Sequence, residues 1–148
     1  MPPKISLNSG DTLYKYKLDY CIGSGEFGQV WLANDLTISR DVAIKIIDDT
    51  LAPVAFHLKE AQLGNKLTHQ NVVKIHYADV VSINETTNAV IIVMDFHSHG
   101  STLNYLNSAN FMPLDKSIRL AVDILRGLEY LGFYHRFGHG VGQAISKR

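Results

Sequence analysis

The chain has 148 residues, 46 % hydrophobic and 19 % charged, a composition of globular rather than disordered chains. Lys plus Arg and Asp plus Glu number 14 each, so the net charge is zero, which excludes the basic footprint of a nucleic-acid binder and a polybasic membrane tract. The longest purely apolar run, Ala89 to Met94, is too short to cross a bilayer, and the opening Met-Pro-Pro-Lys-Ile-Ser has no signal-peptide core.

Residues 1–11 are polar, carry two prolines and are expected to form a loose arm. From Tyr14 to Ile22 apolar and polar residues roughly alternate, the pattern of a half-buried strand. The single cysteine, Cys21, excludes an intrachain disulfide, fits a reducing cytoplasm and reads as a small buried strand residue. Gln29 to Asn34 alternates again, so the glycines between the two runs form a hairpin turn. After a turn over 35–41, Val42 to Ile47 is a third strand.

Pro53 suits the first turn of a helix, where its missing N–H costs nothing, and the helix is expected to reach Leu67. Val72 to Val80 and Ala89 to Met94 read as two more strands, with a polar loop over Asn84 to Asn88. A short helix, Ser101 to Asn107, follows Gly100. Pro113 opens a long helix from Leu114 to Leu131, with Asp115 in the favourable first turn and a wide apolar arc. The glycine-rich residues 137–148 show no periodicity. Short connections imply an antiparallel sheet, and the whole reads as α+β: five antiparallel strands plus one helix, followed by further helices.

The most informative stretch is Gly23-Ser-Gly25-Glu-Phe-Gly28-Gln-Val30, followed by Val42-Ala-Ile-Lys45. Glycines let backbone fold closely over an anion and aim N–H groups at phosphate oxygens, while a lysine adds a full charge. A dinucleotide fold would need a buried parallel strand before the glycines and a helix directly after them; strand-like runs on both sides disfavour it. Lys45, flanked by Ala43, Ile44, Ile46 and Ile47, reads as a partly buried ammonium in need of an anion. Phe56, Glu60, Leu63 and Leu67 share one helical stripe, and a carboxylate on an apolar stripe needs a partner, for which Lys45 is the natural choice.

Together these elements resemble the N-terminal lobe of the eukaryotic-type protein kinases. The resemblance continues through Leu67-Thr-His69-Gln-Asn71-Val-Val73, Ile91-Ile-Val-Met94-Asp95-Phe96, Gly100-Ser-Thr-Leu103 and Gly127-Leu-Glu-Tyr-Leu131. It divides the chain into an N-lobe over 12–96, a hinge and partial helical C-lobe over 97–136, and an atypical tail over 137–148.

The resemblance implies an ATP site. Gly23, Gly25 and Gly28 would cover the phosphates, with Ile22, Ser24, Glu26 and Phe27 of the same loop alongside. Val30 and Ala43 would cap the adenine, and Lys45 would hold the α/β-phosphates and pair with Glu60. Met94 would stand at the back of the pocket, with Asp95 and His97 offering hinge backbone groups to the base. It also implies phosphorylation of protein serine or threonine hydroxyls, a protein substrate or regulator as partner, and magnesium in the intact family member.

The pattern breaks at Tyr134-His135-Arg136-Phe137, where phenylalanine stands in place of the catalytic aspartate. No asparagine follows Asn110 and no aspartate follows Asp123, so the base and both magnesium ligands of the family are missing. The sequence after Arg136 reads as a truncation, by a change of frame or a deletion joining His135-Arg136 to a Phe-Gly. A chain of this kind is expected to be inactive alone; the alternative is a non-catalytic nucleotide- or partner-binding module. The pairs His97/His99 and His135/His139 lack a nearby carboxylate or cysteine at metal-ligand spacing, so no metal site is expected, and His69 is expected to satisfy a backbone group in a turn.

Overall fold

The computed structural model describes residues 5–25, 28–48, 54–85, 87–109 and 111–145, with the backbone alone at residues 60, 109 and 134–145. They form two compact units. The first comprises the residues up to Thr68 together with Val73–His97, and the second His69–Val72 with the residues from Ser98 onward.

The first unit is an antiparallel sheet with one helix. Its strands are β1 Thr12–Leu13, β2 Tyr16–Gly25, β3 Gly28–Asp35, β4 Arg40–Asp48, β5 Ile75–Asn84 and β6 Thr87–Asp95, in the order β1-β2-β3-β4-β6-β5, with helix α1 Val54–Lys66 between β4 and β5. The five expected strands are present. The two-residue β1 is an addition, because the run starting at Tyr14 is broken by a hairpin turn at Tyr14 and Lys15 that pairs Leu13 with Tyr16. Tyr14 takes a left-handed φ of 56° there, and Ser39, in the β3–β4 turn, takes 51°. Side chains other than glycine adopt that region at a cost of about 1–3 kcal/mol.

β4 is buried on both faces, and its alternation assigns the rest of the sheet. Val42, Ile44 and Ile46 join Tyr16, Leu18, Trp31, Ala33, Ile91 and Val93 in one core. Ile47 joins Val90, Ile92 and Ala61 in the other, under α1. Trp31 meets the demand of its buried N–H by donating to Gln29 Oε1 at 2.8 Å, and Gln29 Nε2 donates to the Ile5 carbonyl at 3.1 Å. That contact corrects the expected loose arm: Ile5 is 5 % exposed and Leu7 packs on the same core. Cys21 also departs from expectation. The β2–β3 register shifts on either side of it, and the side chain is exposed with its thiol donating to the Gly23 carbonyl at 3.4 Å.

Helix α1 ends within one residue of expectation, but it buries a different stripe. Val54, Leu58 and Ala61 pack on the sheet and His57 is buried beside them, whereas Phe56 is 64 % exposed. The chosen stripe places Gly64 against β5, where a Cβ would come within 2.5 Å of the Ile75 side chain. β5 begins three residues later than expected. Residues 69–72 form a turn instead, in which the Asn71 N–H donates to His69 Nδ1 at 3.1 Å and the Val72 N–H to the His69 carbonyl. His69 thus satisfies a backbone group as expected.

In the second unit, Gly100 (φ 71°) turns the chain into helix α2, Thr102–Ala109. Ser101 and Asn104 cap it reciprocally: the Asn104 N–H donates to Ser101 Oγ and the Ser101 N–H to Asn104 Oδ1. Helix α3, Leu114–Ile145, begins after Pro113. It runs past the expected end at Leu131 into the glycine-rich tail without periodicity, because no proline interrupts it and each residue added to a formed helix brings its own hydrogen bond. The turn 69–72 packs on α3, with His69 stacked on Tyr130 at 4.9 Å and the Asn71 carbonyl 3.0 Å from where a Cβ of Gly127 would stand. No described helix is long and apolar enough to cross a membrane.

Leu114, Ile118, Leu125 and Leu128 on α3 are each more than half exposed. Replacing Leu125 and Leu128 by glutamate is therefore expected to change the unfolding free energy by no more than about 0.5 kcal/mol per site while reducing the binding of an environment-sensitive apolar dye. A loss of several kcal/mol in denaturant melts would show that this face is covered.

Candidate nucleotide site

The strand registers bring the expected residues into rows across one face of the sheet. Gly23 pairs with Val30, Val30 with Lys45, and Lys45 with Ile92. One row on, Leu32 pairs with Ala43 and Ala43 with Met94. Residues directly opposite in an antiparallel pair share a face. Since Ile92 and Met94 pack in the core under α1, Gly23, Val30, Ala43 and Lys45 lie on the α1 face as well. Glu26 and Phe27 at the tip of the glycine turn lie outside the described residues, as does the side chain of Glu60, and with it the expected Lys45–Glu60 pair. Lys45 is half-buried and has no hydrogen-bond or ion-pair partner among the described residues.

The three glycines divide into two kinds. Gly28 is required by the fold itself: its φ is 103°, and a Cβ would lie 2.1 Å from the Ile46 carbonyl oxygen. Gly23 and Gly25 have no left-handed φ and, among the described residues beyond their chain neighbours, no atom within 4 Å of a built Cβ. Nothing in the described packing demands glycine there, so the open space fits a group that approaches the backbone from outside, as a phosphate does. The residues present thus fit the phosphate and ring parts of a nucleotide. Among the described residues no group of three or more metal-ligating side chains occurs.

At the end of β6 the geometry differs from a simple hinge. The Asp95 N–H donates to the Lys74 carbonyl at 3.0 Å, so an incoming base cannot use it. The Asp95 carboxylate accepts from His76 Nε2 at 2.7 Å and from Arg40 Nη2 at 2.6 Å, both on Oδ1. The hydrogen bond from His76 holds this carboxyl below its ordinary 3.8, with the charges of His76, Arg40 and His97 acting in the same direction against desolvation. A second ion pair, Lys15 Nζ to Asp35 Oδ2 at 2.8 Å, ties the β1–β2 turn to the end of β3, where the Thr37 N–H also donates to Asp35. Sequence reasoning missed Arg40 and His76. The signal available was the register, since Val42 opposite Asp95 brings the start of β4 to the end of β6.

A family profile described as protein tyrosine and serine/threonine kinase matches residues 16–139. Among solved structures, the PknI kinase domain of Mycobacterium tuberculosis is similar, with a TM-score of 0.68 and 17 % identity. The alignment covers 85 % of this chain and 51 % of that one, so the chain spans about half the length of the kinase domain it matches.

Two measurements test this geometry. Gly28→Ala is expected to destabilise the chain by about 2–4 kcal/mol in denaturant melts, whereas Gly23→Ala and Gly25→Ala are expected to leave stability unchanged or raise it by up to about 1 kcal/mol. Equal losses at all three would show that Gly23 and Gly25 are structural. Because the folded Asp95 carboxyl titrates below its unfolded value, its contribution is complete above that value and is lost as pH falls through the folded one. Asp95→Asn is therefore expected to be less stable than the parent at pH 7, with the difference closing on acidification below about pH 4.

Proposed function

Because the chain belongs to the protein tyrosine and serine/threonine kinase family, matched over residues 16–139, we propose that its first unit binds the phosphates and base of ATP. The observation that carries this reading is the row Gly23–Val30–Lys45, where a glycine with no packing role and a half-buried lysine without a described partner share one face of the sheet. In this reading the backbone around Gly23, Ser24 and Gly25, with Ile22 at its base, lies over the phosphates and Lys45 Nζ holds the α/β oxygens. Glu26, Phe27 and Gly28 complete the turn. Val30 and Ala43 cover the adenine, Met94 backs it, and the carbonyl of Asp95 and the backbone of His97 face its edge. Glu60, on α1, is the proposed counter-charge that orients Lys45.

The family activity is transfer of the γ-phosphoryl group to a protein hydroxyl, serine or threonine in our reading. That chemistry rests on positioning and on metal-borne neutralisation of developing charge, with an aspartate to accept the hydroxyl proton. This chain has phenylalanine at position 137 where the aspartate would follow His135-Arg136, and Glu129 lies earlier, within α3. We therefore read the chain by itself as a nucleotide-binding part without phosphotransfer activity, in a cytoplasmic setting and with a protein substrate or kinase regulator as its partner class. A non-catalytic sensor or decoy role shares the same site and would use the exposed apolar face of α3 for its partner.

Titration with a fluorescent ATP analogue tests this. Binding is expected to be weak and the same with magnesium or with EDTA, and Lys45→Ala is expected to weaken it by about 10- to 100-fold, the size of a lost charge-assisted hydrogen bond. A tight complex strengthened by magnesium, or phosphotransfer above the Lys45→Ala control, would overturn it.

A further inference from the structure

The glycine hairpin is held unevenly along its length. β2 and β3 pair regularly from Tyr16 to Leu18 and again from Gly23, but the register shifts on both sides of Cys21. On the β2 side, the glycine end is therefore joined to the rest of the hairpin through an irregular stretch. Its last rungs are Ser24 opposite Gln29 and Gly25 opposite Gly28. Three glycines in this stretch add backbone freedom that a site with a preorganised geometry must remove.

The segment from Ile5 to Asp11 is anchored to the hairpin on either side of the irregular stretch. At one anchor the Gly10 N–H donates to the Leu18 carbonyl and the Leu18 N–H to the Asp11 carbonyl, both at 2.8 Å. A turn closes there, with the Asn8 N–H on Asp11 Oδ2 at 2.8 Å and the Asp11 N–H on the Asn8 carbonyl at 3.1 Å. At the other anchor Gln29 Nε2 donates to the Ile5 carbonyl at 3.1 Å. Ile5 and Leu7 pack between the anchors on the core of the face opposite α1. The segment is thus a strap that spans the irregular part of the hairpin.

Gln29 is where the strap gains leverage. Its side chain lies on the strap face, opposite Ile46, and both ends of its amide are used, by Ile5 and by Trp31. Its chain neighbours are Gly28, which closes the glycine turn, and Val30, which lies on the nucleotide face. Holding this one side chain from behind fixes the backbone that carries both.

We propose that Gln29 is a positioning residue for phosphate binding and that the strap acts through it. Docking of Ile5 holds the glycine hairpin in the conformation that receives a nucleotide. Nucleotide affinity therefore depends on the docked fraction, and by linkage a bound nucleotide steadies the strap. The proposal rests on the ATP reading of the row Gly23–Val30–Lys45.

The test compares binding of a fluorescent ATP analogue with amide hydrogen exchange in full-length variants. Gln29→Glu keeps an acceptor for Trp31 but removes the donor to Ile5, and Ile5→Ala loosens the strap while leaving Gln29 intact. Each is expected to weaken binding about three- to tenfold, and the double variant no more than the stronger single one. Val81→Ala, in the same core but on β5, is expected to leave affinity unchanged. Exchange over residues 22–30 is expected to quicken in both strap variants, and exchange over residues 5–11 of the parent to slow when the analogue is bound. Unchanged affinity in both variants, an equal loss in Val81→Ala, or unchanged exchange over residues 22–30 would overturn the proposal. A parent that binds no analogue would overturn the ATP reading instead, and exchange over residues 22–30 would still decide whether the strap braces the hairpin.

Discussion

Strand β4 has to serve two cores at once, and the arrangement of the first unit follows from that constraint. Its residues from Val42 to Ile47 are apolar on both faces apart from Lys45, so neither side can be left to water. The hairpin partner β3 and the crossover partner β6 flank it, α1 covers one face, and the segment from Ile5 folds over the other. A lysine in the middle of such a strand is the costly element. Its stem can lie along apolar surface, but its ammonium must reach water or an anion. The register decides where that charge emerges, opposite Val30 and in line with Gly23.

The same economy of position separates two roles for glycine within six residues. Gly28 is where β3 comes so close to the Ile46 carbonyl that any side chain would collide, so it fixes the height of the hairpin above β4. With that height fixed, Gly23 and Gly25 on the opposing strand leave bare backbone. The charges are sorted by face as well. Lys45 lies on the α1 face and has no ion-pair partner among the described residues, while the paired Lys15–Asp35 and Arg40–Asp95–His76 groups sit on the far face near strand ends, where partial exposure makes an ion pair inexpensive.

Most of the sheet was legible because alternation and glycine punctuation are local signals. The hairpin at Gly23 to Gly28, β4 and β6 stand where the sequence puts them. What escaped was set by partners remote in sequence. Phe56, Glu60, Leu63 and Leu67 form a plausible helical stripe, but the stripe that packs is the one whose smallest members, Ala61 and Gly64, let the helix approach β5. The arm looked loose because two prolines and few apolar residues give no periodicity; one isoleucine and a glutamine hydrogen bond were enough to dock it. Arg40 and His76 carry no motif, and only the β4–β6 and β5–β6 registers make them neighbours of Asp95. Cys21 follows the strand pattern of its sequence, yet the register shifts around it leave it in solvent.

The second unit makes the complementary point. Its turn at 69–72 is specified closely, by a histidine that accepts a backbone hydrogen bond while stacking on Tyr130 and by a glycine in α3 that admits the Asn71 carbonyl. Yet the other side of α3 presents Leu114, Ile118, Leu125 and Leu128 to water. A fully buried leucine contributes roughly 1.5–3 kcal/mol relative to an exposed one, so a row of them left wet forgoes a free energy comparable to the net stability of a small domain. The matched solved kinase domain is about twice as long as the part this chain covers. The side of α3 that meets the 69–72 turn is thus specified residue by residue, whereas the side that carries the leucines has no cover among the described residues.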